Sequence, residues 1–430
     1  MVYTSGIQKF PRGVDMDLRA RKALELAAKA RITFTDGAWL VPSQTSPGTT
    51  YRVTIGPEPS CQCEAWQLRR ADCKHLLAAK IVAARVGEAR CPEIITDAVP
   101  KKPTYKQNGP LYDQAQRTEK HRFQVLLHDL CRGLEDPPQP KTGRRWKPMA
   151  DIVFACAFKV FSTFSSRRFP CDLDDAHAKG FLSESMHAVR LCAYLESKFL
   201  TAVLQSLVVR SSLPLKAVET TFAPDSTGFS TSRLVRWFDE KDGVERSGHD
   251  WVKAHARCGV KTNIITAATI EGRDAGDCPQ FKPLVETTAQ NFVVKEVPAD
   301  KAYLSRDNLE LVAGLGGTAF VPFKSNSVAG EAASLWEKMF FYYSFRREEF
   351  LKHYHQRSNI EATFSMVKAK FRDHVRRKTD TAMKKEVLCK FLCHNIVVVH
   401  QSQVELGIEP VFWQDEPAEW SDVLPLIRPG

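Results

Sequence analysis

No run of this chain approaches 18 consecutive apolar residues, which excludes a membrane-spanning helix. Its first residues, MVYTSGIQKFPRG, lack the apolar core of a signal peptide, so an intracellular, cytoplasmic protein with no membrane partner is expected. There is no internal repeat and no long low-complexity tract. In a reducing compartment a disulfide framework is a poor account of the 12 cysteines; a metal site or buried thiols fit better. An excess of acid is also missing. Against 50 acidic residues stand 61 basic ones, a net +11 with a pI near 9.0, and that balance favours a polyanionic partner. With 430 residues, 43% of them hydrophobic, there is material for two or three domains with sizeable cores.

Three of the cysteines stand together in CQCEAWQLRRADCKH. Cys61, Cys63, Cys73 and His75 form the pattern C-x-C-x9-C-x-H. Three thiolates and an imidazole make a suitable tetrahedral set for one structural Zn²⁺. Upstream, ITFTDGAWLV alternates around Asp36-Gly37, a hairpin signal, and TTYRVTI (49–55) alternates again. The helical run LLAAKIVAARV follows His75, so a small ββα unit is expected. Residues 30–90 thereby resemble the SWIM zinc finger. Members of that group contact DNA or protein, and Arg69, Arg70 and Lys74 either serve DNA here or are simply solvated.

Composition divides the rest. Residues 1–91 hold the finger and a preceding helix (17–30). Residues 92–148 read as linker and helix, with Pro92, Pro100, Pro103 and Pro110 before a helix over 111–134 and the break DPPQPKTGRRWKP after it. Residues 149–214 are a helical region, 215–404 a stretch of mixed strands and helices, and 405–430 an acidic tail whose Phe412, Trp413 and Trp420 suggest docking.

Within 215–404 the expected order is strand, strand, strand, helix, strand, helix, strand, helix. LKAVETTFAP ends at Asp225; WVKAHARC and TNIITAAT form a hairpin across Gly259-Val260; Asp277 caps a helix with Pro279 in its first turn. NFVVKEV runs toward Asp300, Ser305 caps the next helix, AFVPFK is a short strand, and a long helix closes the series. On that helix Tyr354, Arg357, Glu361 and Lys368 fall within an arc of roughly 60° at about 100° per residue. One carboxylate between two cations and a phenol suits a metal ion and a phosphodiester held together. An amphipathic helix with an ordinary Arg357–Glu361 pair, and Phe350 and Phe364 in the core, would show the same spacing.

The spacing Tyr-x2-Arg-x3-Glu-x6-Lys, with PDSTGF around Asp225 and ADKAYLSRDNL around Asp300, resembles one large group of insertion-sequence transposases over residues 215–400. Those are DDE enzymes. The resemblance implies an α/β catalytic domain with a ribonuclease-H-like mixed sheet flanked by helices, in which the first and fourth strands lie side by side. It also implies that Asp225, Asp300 and Glu361 are the catalytic triad. Asp277 competes with Asp300 for the second place, and each aspartate could instead end a strand or make a turn. Only 36 residues separate Lys324 from Glu361, too few for the β-rich insertion often carried there by members that form DNA hairpins.

Three carboxylates suit hard cations, two Mg²⁺ or Mn²⁺ ions, which would drive hydrolysis at an element's end and then transfer of the 3′-hydroxyl to target DNA. Double-stranded DNA and a homodimer or higher oligomer on it are the expected partners, at the nucleoid. Tyr354, Arg357 and Lys368 would hold phosphates at the reacting site. Arg376, Arg377 and Lys378, on the continuation of the helix, would follow the DNA backbone or merely be solvated. Cys389, Cys393 and His394 are read as a buried helix face rather than a second metal site. A DNA-binding regulator without the chemistry and an interaction scaffold working through the finger are the competing classes.

Overall fold

A computed structural model of the chain describes residues 18–44, 46, 48–88, 108–136, 139, 145–184, 186–187, 190–231, 251–331 and 333–413. The polypeptide separates into two units, one of residues 1–102 with 325–348, the other of 103–324 with 349–430.

In the first unit, Asp36 and Gly37 take φ of 50° and 74°, the left-handed pair that a tight hairpin needs. They join β1 (Thr33–Thr35) to β2 (Ala38–Pro42), and β3 (Thr50–Thr54) and β4 (Ser60–Cys61) complete an antiparallel sheet. The finger is therefore larger than a ββα unit. Helices α1 (Leu18–Lys29) and α3 (Lys74–Glu88) close its core of Ala23, Leu26, Val41, Val53, Trp66 and Leu76, and short α2 (Glu64–Arg69) lies between them in sequence. A distant segment joins this core. The helix Leu335–Phe345 packs against α1, and Phe345 lies on the finger's apolar cluster. Lys29 Nζ stands 5.8 Å from the Phe340 ring centre, and Arg21 Nε lies 3.6 Å from Glu337 Oε1. Ser334 caps this inserted helix by accepting from the Glu337 N–H, while Glu337 accepts from the Ala333 N–H, a variant of the capping box. Among its described residues the inserted segment has no strand, in keeping with its shortness.

The second unit opens with helices α4 (Gly109–Cys131), α5 (Met149–Ser162), α6 (Pro170–Ala178), α7 (Arg190–Glu196) and α8 (Leu200–Ser212). The region 149–214, expected to be helical, is made of the separate helices α5 to α8. Next come β5 (Phe222–Ser230), β6 (Trp251–Gly259), β7 (Ile265–Glu271), α9 (Cys278–Ala289), β8 (Glu296–Pro298), α10 (Arg306–Gly314) and β9 (Thr318–Phe320). Finally come α11 (Arg347–Tyr354), α12 (Ser358–Phe371) and α13 (Asp380–Leu406).

α13 is buried along most of its length, through Val387, Leu388, Cys389, Phe391, Leu392, Cys393 and Ile396. It packs on α4, α5, α7, α8 and β7. The cysteines there are packing groups: the Cys393 thiol donates to the Ala157 carbonyl, and His394 Nε2 lies 2.9 Å from the Asn263 carbonyl oxygen. Beyond Gly407 the chain folds back. Trp413 Nε1 donates to the Leu130 carbonyl at 3.0 Å, and Arg210 stacks 3.9 Å from its ring. A Cβ on Gly133 would sit 2.1 Å from that indole, so this close approach requires glycine. The expected docking thus holds for Phe412 and Trp413; Trp420 lies outside the described residues.

Strands β5, β6 and β7 form an antiparallel sheet in that order, with Asp225 opposite Ala256. β8 and β9 pair in parallel. A parallel bridge between Thr221 and Glu296, with the Lys295 N–H donating to the Thr220 carbonyl at 2.8 Å, places β8 beside β5. The resulting order is β7-β6-β5-β8-β9. The first strand starts later than its sequence suggested. Leu213–Leu215 form a 3-10 turn, and Glu219 folds its buried carboxylate onto the Thr262 N–H and hydroxyl, so the ladder begins at Phe222 and carries Asp225 well inside it. The hairpin turn is likewise wider than Gly259-Val260, because Asn263 takes a left-handed φ of 64° before β7.

Candidate functional site

Cys61 ends β4, Cys63 is the N-cap residue of α2, and Cys73 and His75 flank the start of α3. Arg70, at φ 48°, ends α2 and lets the chain turn back toward Cys73. Each of the four residues is buried, and their ligand atoms lie within 4.8 Å of one another. Neither ring nitrogen of His75 has a hydrogen-bond partner, a costly state for a buried imidazole unless a metal takes one of them. Cys73 is held as the thiolate, its pKa near 3, chiefly by a hydrogen bond from Cys61, whose own proton is correspondingly hard to remove. Soft, partly ionised sulfurs gathered within 4.8 Å of an orphaned imidazole fit zinc. Among the described residues no other His, Cys or acidic group gathers in this way.

The carboxylates assemble differently. Side chains alternate along β5, so Asp225, Thr227 and Phe229 share one face and Pro224, Ser226 and Gly228 the other. The first face meets α12. Arg357 Nη1 donates to Asp225 Oδ2 at 3.0 Å, and its Nη2 donates to Glu361 Oε1 at 2.8 Å. Three turns further along, Lys368 Nζ donates to Thr227 Oγ1 at 2.6 Å and lies 5.4 Å from the Phe229 ring centre. One guanidinium therefore joins two of the three candidate triad members. Burial raises the pKa of Asp225, and the charges of Glu361 and Asp300 add to this, against the Ser226 N–H and Arg357. For Arg357, burial disfavours the charge, but Asp225, Tyr354, Glu361 and Asp300 outweigh it and raise its pKa.

Asp300 follows β8, the strand next to β5, and its Oδ1 accepts from the Lys301 N–H at 2.7 Å, capping the 3-10 turn Lys301–Tyr303. Its charge acts on Asp225 and Arg357 alike. Asp277 sits at the N-cap position of α9 without making a capping bond. Its carboxylate instead pairs with Lys253 at 2.9 Å, on the Ser226 side of the sheet, with His255 Nδ1 3.4 Å away and making no hydrogen bond. Tyr303 was not singled out from sequence. Its phenol is buried, its hydroxyl has no hydrogen-bond partner, and burial together with Asp225, Asp277 and Asp300 raises its pKa. The signal was a tyrosine three residues after an aspartate at a strand end.

Two features of the helix differ from expectation. Tyr354 ends α11, and His355–Arg357 form a 3-10 turn before α12. Three residues at about 120° rather than 100° turn Tyr354 by about 60° relative to Glu361, from one edge of the arc to the side of Arg357, so it keeps the face of the other three. The basic run does not continue the helix either: α12 stops at Phe371, where Arg372 takes φ 75°. Residues 372–377 instead run along the end of β5, bridging Ser230 to His374. Arg376 Nη1 donates to the carbonyls of Thr163 and Phe164, both at 3.0 Å, and Arg377 Nη1 contacts Cys192 Sγ at 2.8 Å. Glu386 accepts from both of their backbone N–H groups. Lys378 is exposed and borders a recess with Trp251 and Arg273.

Comparison with known proteins gives the class of each region. Residues 216–396 match the family model described as the transposase DDE domain, and residues 51–84 match that of the SWIM zinc finger. The chain thus carries a DDE-type transposase domain and an N-terminal SWIM finger whose ligand set fits structural zinc. No curated protein matches. Among solved structures, a cryo-EM structure of the piggyBac transposase synaptic complex with hairpin DNA is similar at 9% identity, covering 70% of this chain and 80% of that one, with a TM-score of 0.30. That likeness is too loose to define a fold.

Proposed function

We propose that the transposase domain cleaves DNA strands and joins the freed 3′-hydroxyl to target DNA, on a ribonuclease-H-like framework with Asp225, Asp300 and Glu361 as the metal-holding triad. The strand order β7-β6-β5-β8-β9 supports the framework, because it sets the strand bearing Asp225 beside the one leading to Asp300. The observation that carries the site is the shared cation: Asp225 and Glu361 already converge on one positive group. Oxygen donors with no thiolate or imidazole among them suit Mg²⁺ or Mn²⁺. Bound there, such ions would activate the attacking oxygen and stabilise the leaving one.

The chain's own groups do the rest. Asp225, with one oxygen anchored by the Ser226 N–H, offers the other toward α12. Asp300 is oriented by the cap it makes at Lys301. Lys368, tethered by Thr227 on the same face, is placed to neutralise a phosphate oxygen, and Arg357 can do so from the other side. Tyr354 would hydrogen-bond the backbone from the end of α11. The test is strand cleavage and joining on duplexes made from the sequence flanking the coding region. Divalent-metal-dependent nicking that stops with Asp225→Asn supports the proposal, whereas nicking that survives Asp225→Asn and Glu361→Gln together removes it.

A further inference from the structure

The Arg357 guanidinium occupies the space between the two carboxylates that the proposed reading assigns to metal. It is held at 3.0 Å by Asp225 and 2.8 Å by Glu361, is four-fifths buried, and feels Asp300 as well. A cation of the same sign cannot enter between these oxygens while the guanidinium keeps both bonds. Repulsion at contact distance in a partly buried site is large, and each carboxylate oxygen that faces the arginine is lost to the incoming ion. In the absence of DNA, however, Arg357 has much to lose by leaving, because its charge would be partly desolvated and unpaired. A phosphodiester at the site changes this, since its oxygens accept the guanidinium bidentately.

We propose that Arg357 is the resident counter-cation of the resting site, exchanged for divalent metal when DNA phosphate takes over the guanidinium. This rests on the assignment of Asp225 and Glu361 as metal ligands. The exchange makes metal and DNA binding mutually supportive by necessity, because whichever binds first releases the group that opposes the other. It keeps the metal site weak until substrate is present. It also gives the arginine two successive partners, which a fixed structural ion pair would not have.

The experiment is Mn²⁺ titration of the zinc-loaded full-length protein, read by the electron paramagnetic resonance signal of free Mn²⁺, with and without a short duplex. Without DNA, Arg357→Ala and Arg357→Gln should each bind Mn²⁺ on the order of ten- to a hundredfold more tightly than the unaltered protein. Arg357→Lys, which keeps the charge, should stay near it. Adding duplex should tighten Mn²⁺ binding more in the unaltered protein than in Arg357→Ala, because only the former has an arginine to release. The Gln variant retains hydrogen-bonding capacity, so agreement between Ala and Gln separates charge from loss of local structure. Equal or weaker Mn²⁺ affinity in both, while Asp225→Asn and Glu361→Gln abolish binding, would overturn the exchange and leave the metal site standing. Mn²⁺ affinity indifferent to Asp225→Asn and Glu361→Gln would overturn both.

Discussion

The zinc centre of the finger and the carboxylate site of the transposase domain are built on opposite plans. All four zinc ligands lie within 15 consecutive residues, all are buried, and a turn and two helix starts bring them together. The candidate triad spans positions 225 to 361, and sheet order does the gathering. Its Asp225 and Glu361 side chains are 22% and 58% exposed and already share a protein cation. The first arrangement leaves buried nitrogens unsatisfied unless metal is present, so metal and folding are one equilibrium. The second is satisfied without metal and open to solvent, so an ion held there, as the proposed function requires, would come and go with substrate. Softness of the ligands and degree of closure go together: a site meant to hold a fold together is shut, and one meant to turn over is not.

The largest effect expected from this contrast is on the finger. Structural zinc sites carry apparent binding energies of about 10–16 kcal/mol, all of it linked to folding. Chelation, or Cys73→Ser, should unfold residues 30–84. The helix Leu335–Phe345 should lose its protection at the same time, because Phe345 and Glu337 pack on the finger's α1 and core. Hydrogen exchange measured with and without chelator checks this. If the inserted helix keeps its protection when the finger unfolds, the packing contributes little. Metal analysis should give one zinc per chain.

Next in size are the carboxylates. Asp225→Asn, Asp300→Asn and Glu361→Gln should each reduce strand cleavage by at least about a thousandfold with folding unchanged, since the site needs no metal to stay assembled. Asp277→Asn should cost far less, because its carboxylate is paired with Lys253 on the other side of the sheet. A dead Asp277 variant beside an active Asp300 variant would exchange their roles. Rates on duplex substrate, with thermal melts as a folding control, make the measurement.

Much of the comparison was visible in the residues beforehand, and the reason differs between the two sites. The zinc ligands were legible because spacing in sequence is spacing in space at that range. Asp225, Arg357 and Glu361 were legible because a recurring pattern marks them; periodicity alone left a simple i,i+4 pair as an equal reading, and the structure contains that pair. What escaped were effects of long-range packing. The 3-10 turn at His355–Arg357 and the end of α12 at Phe371 carry no proline or glycine signal. The end of α12 is fixed by tertiary ties such as Lys390, which donates to the carbonyls of Arg372 and His374. The union of the inserted helix with the finger joins residues some 300 positions apart, beyond any local pattern.

Two buried histidines sharpen the contrast further. His75 has no hydrogen-bond partner and stands among cysteines at ligand distance; His394 also has cysteines nearby in sequence but gives its proton to the Asn263 carbonyl. Burial lowers the pKa of His394 to about 4, below the ordinary value near 6.5. The unfolded chain therefore binds more protons between those values, so stability should rise from pH 4 to about 6.5 and then level off. This residue's share is about 3 kcal/mol over that window. Chemical denaturation across pH should lose this part of the slope in His394→Gln, while the zinc content stays at one. A second zinc lost with His394→Gln would mean that α13 holds metal after all.

The smallest effect concerns the basic run, which was expected to track DNA as a helix end. Arg376 and Arg377 spend their guanidiniums on Thr163, Phe164 and Cys192, and their backbone N–H groups on Glu386. A cation so engaged can still attract a phosphate, but its removal is felt first in the fold. Arg376→Ala and Arg377→Ala should each lower stability by about 1 kcal/mol, the worth of an ordinary hydrogen bond. Lys378→Ala should leave stability unchanged and lower the log–log salt slope of DNA binding by at most about 0.9, one phosphate contact. Neutralising all three should then lower the slope by little more than Lys378→Ala alone. A drop near three contacts, about 2.7, would show that the arginines leave their carbonyls for DNA. In that event the loop of residues 372–378 would be as exchangeable as Arg357, and the division between fixed and exchangeable cations would have to be drawn elsewhere.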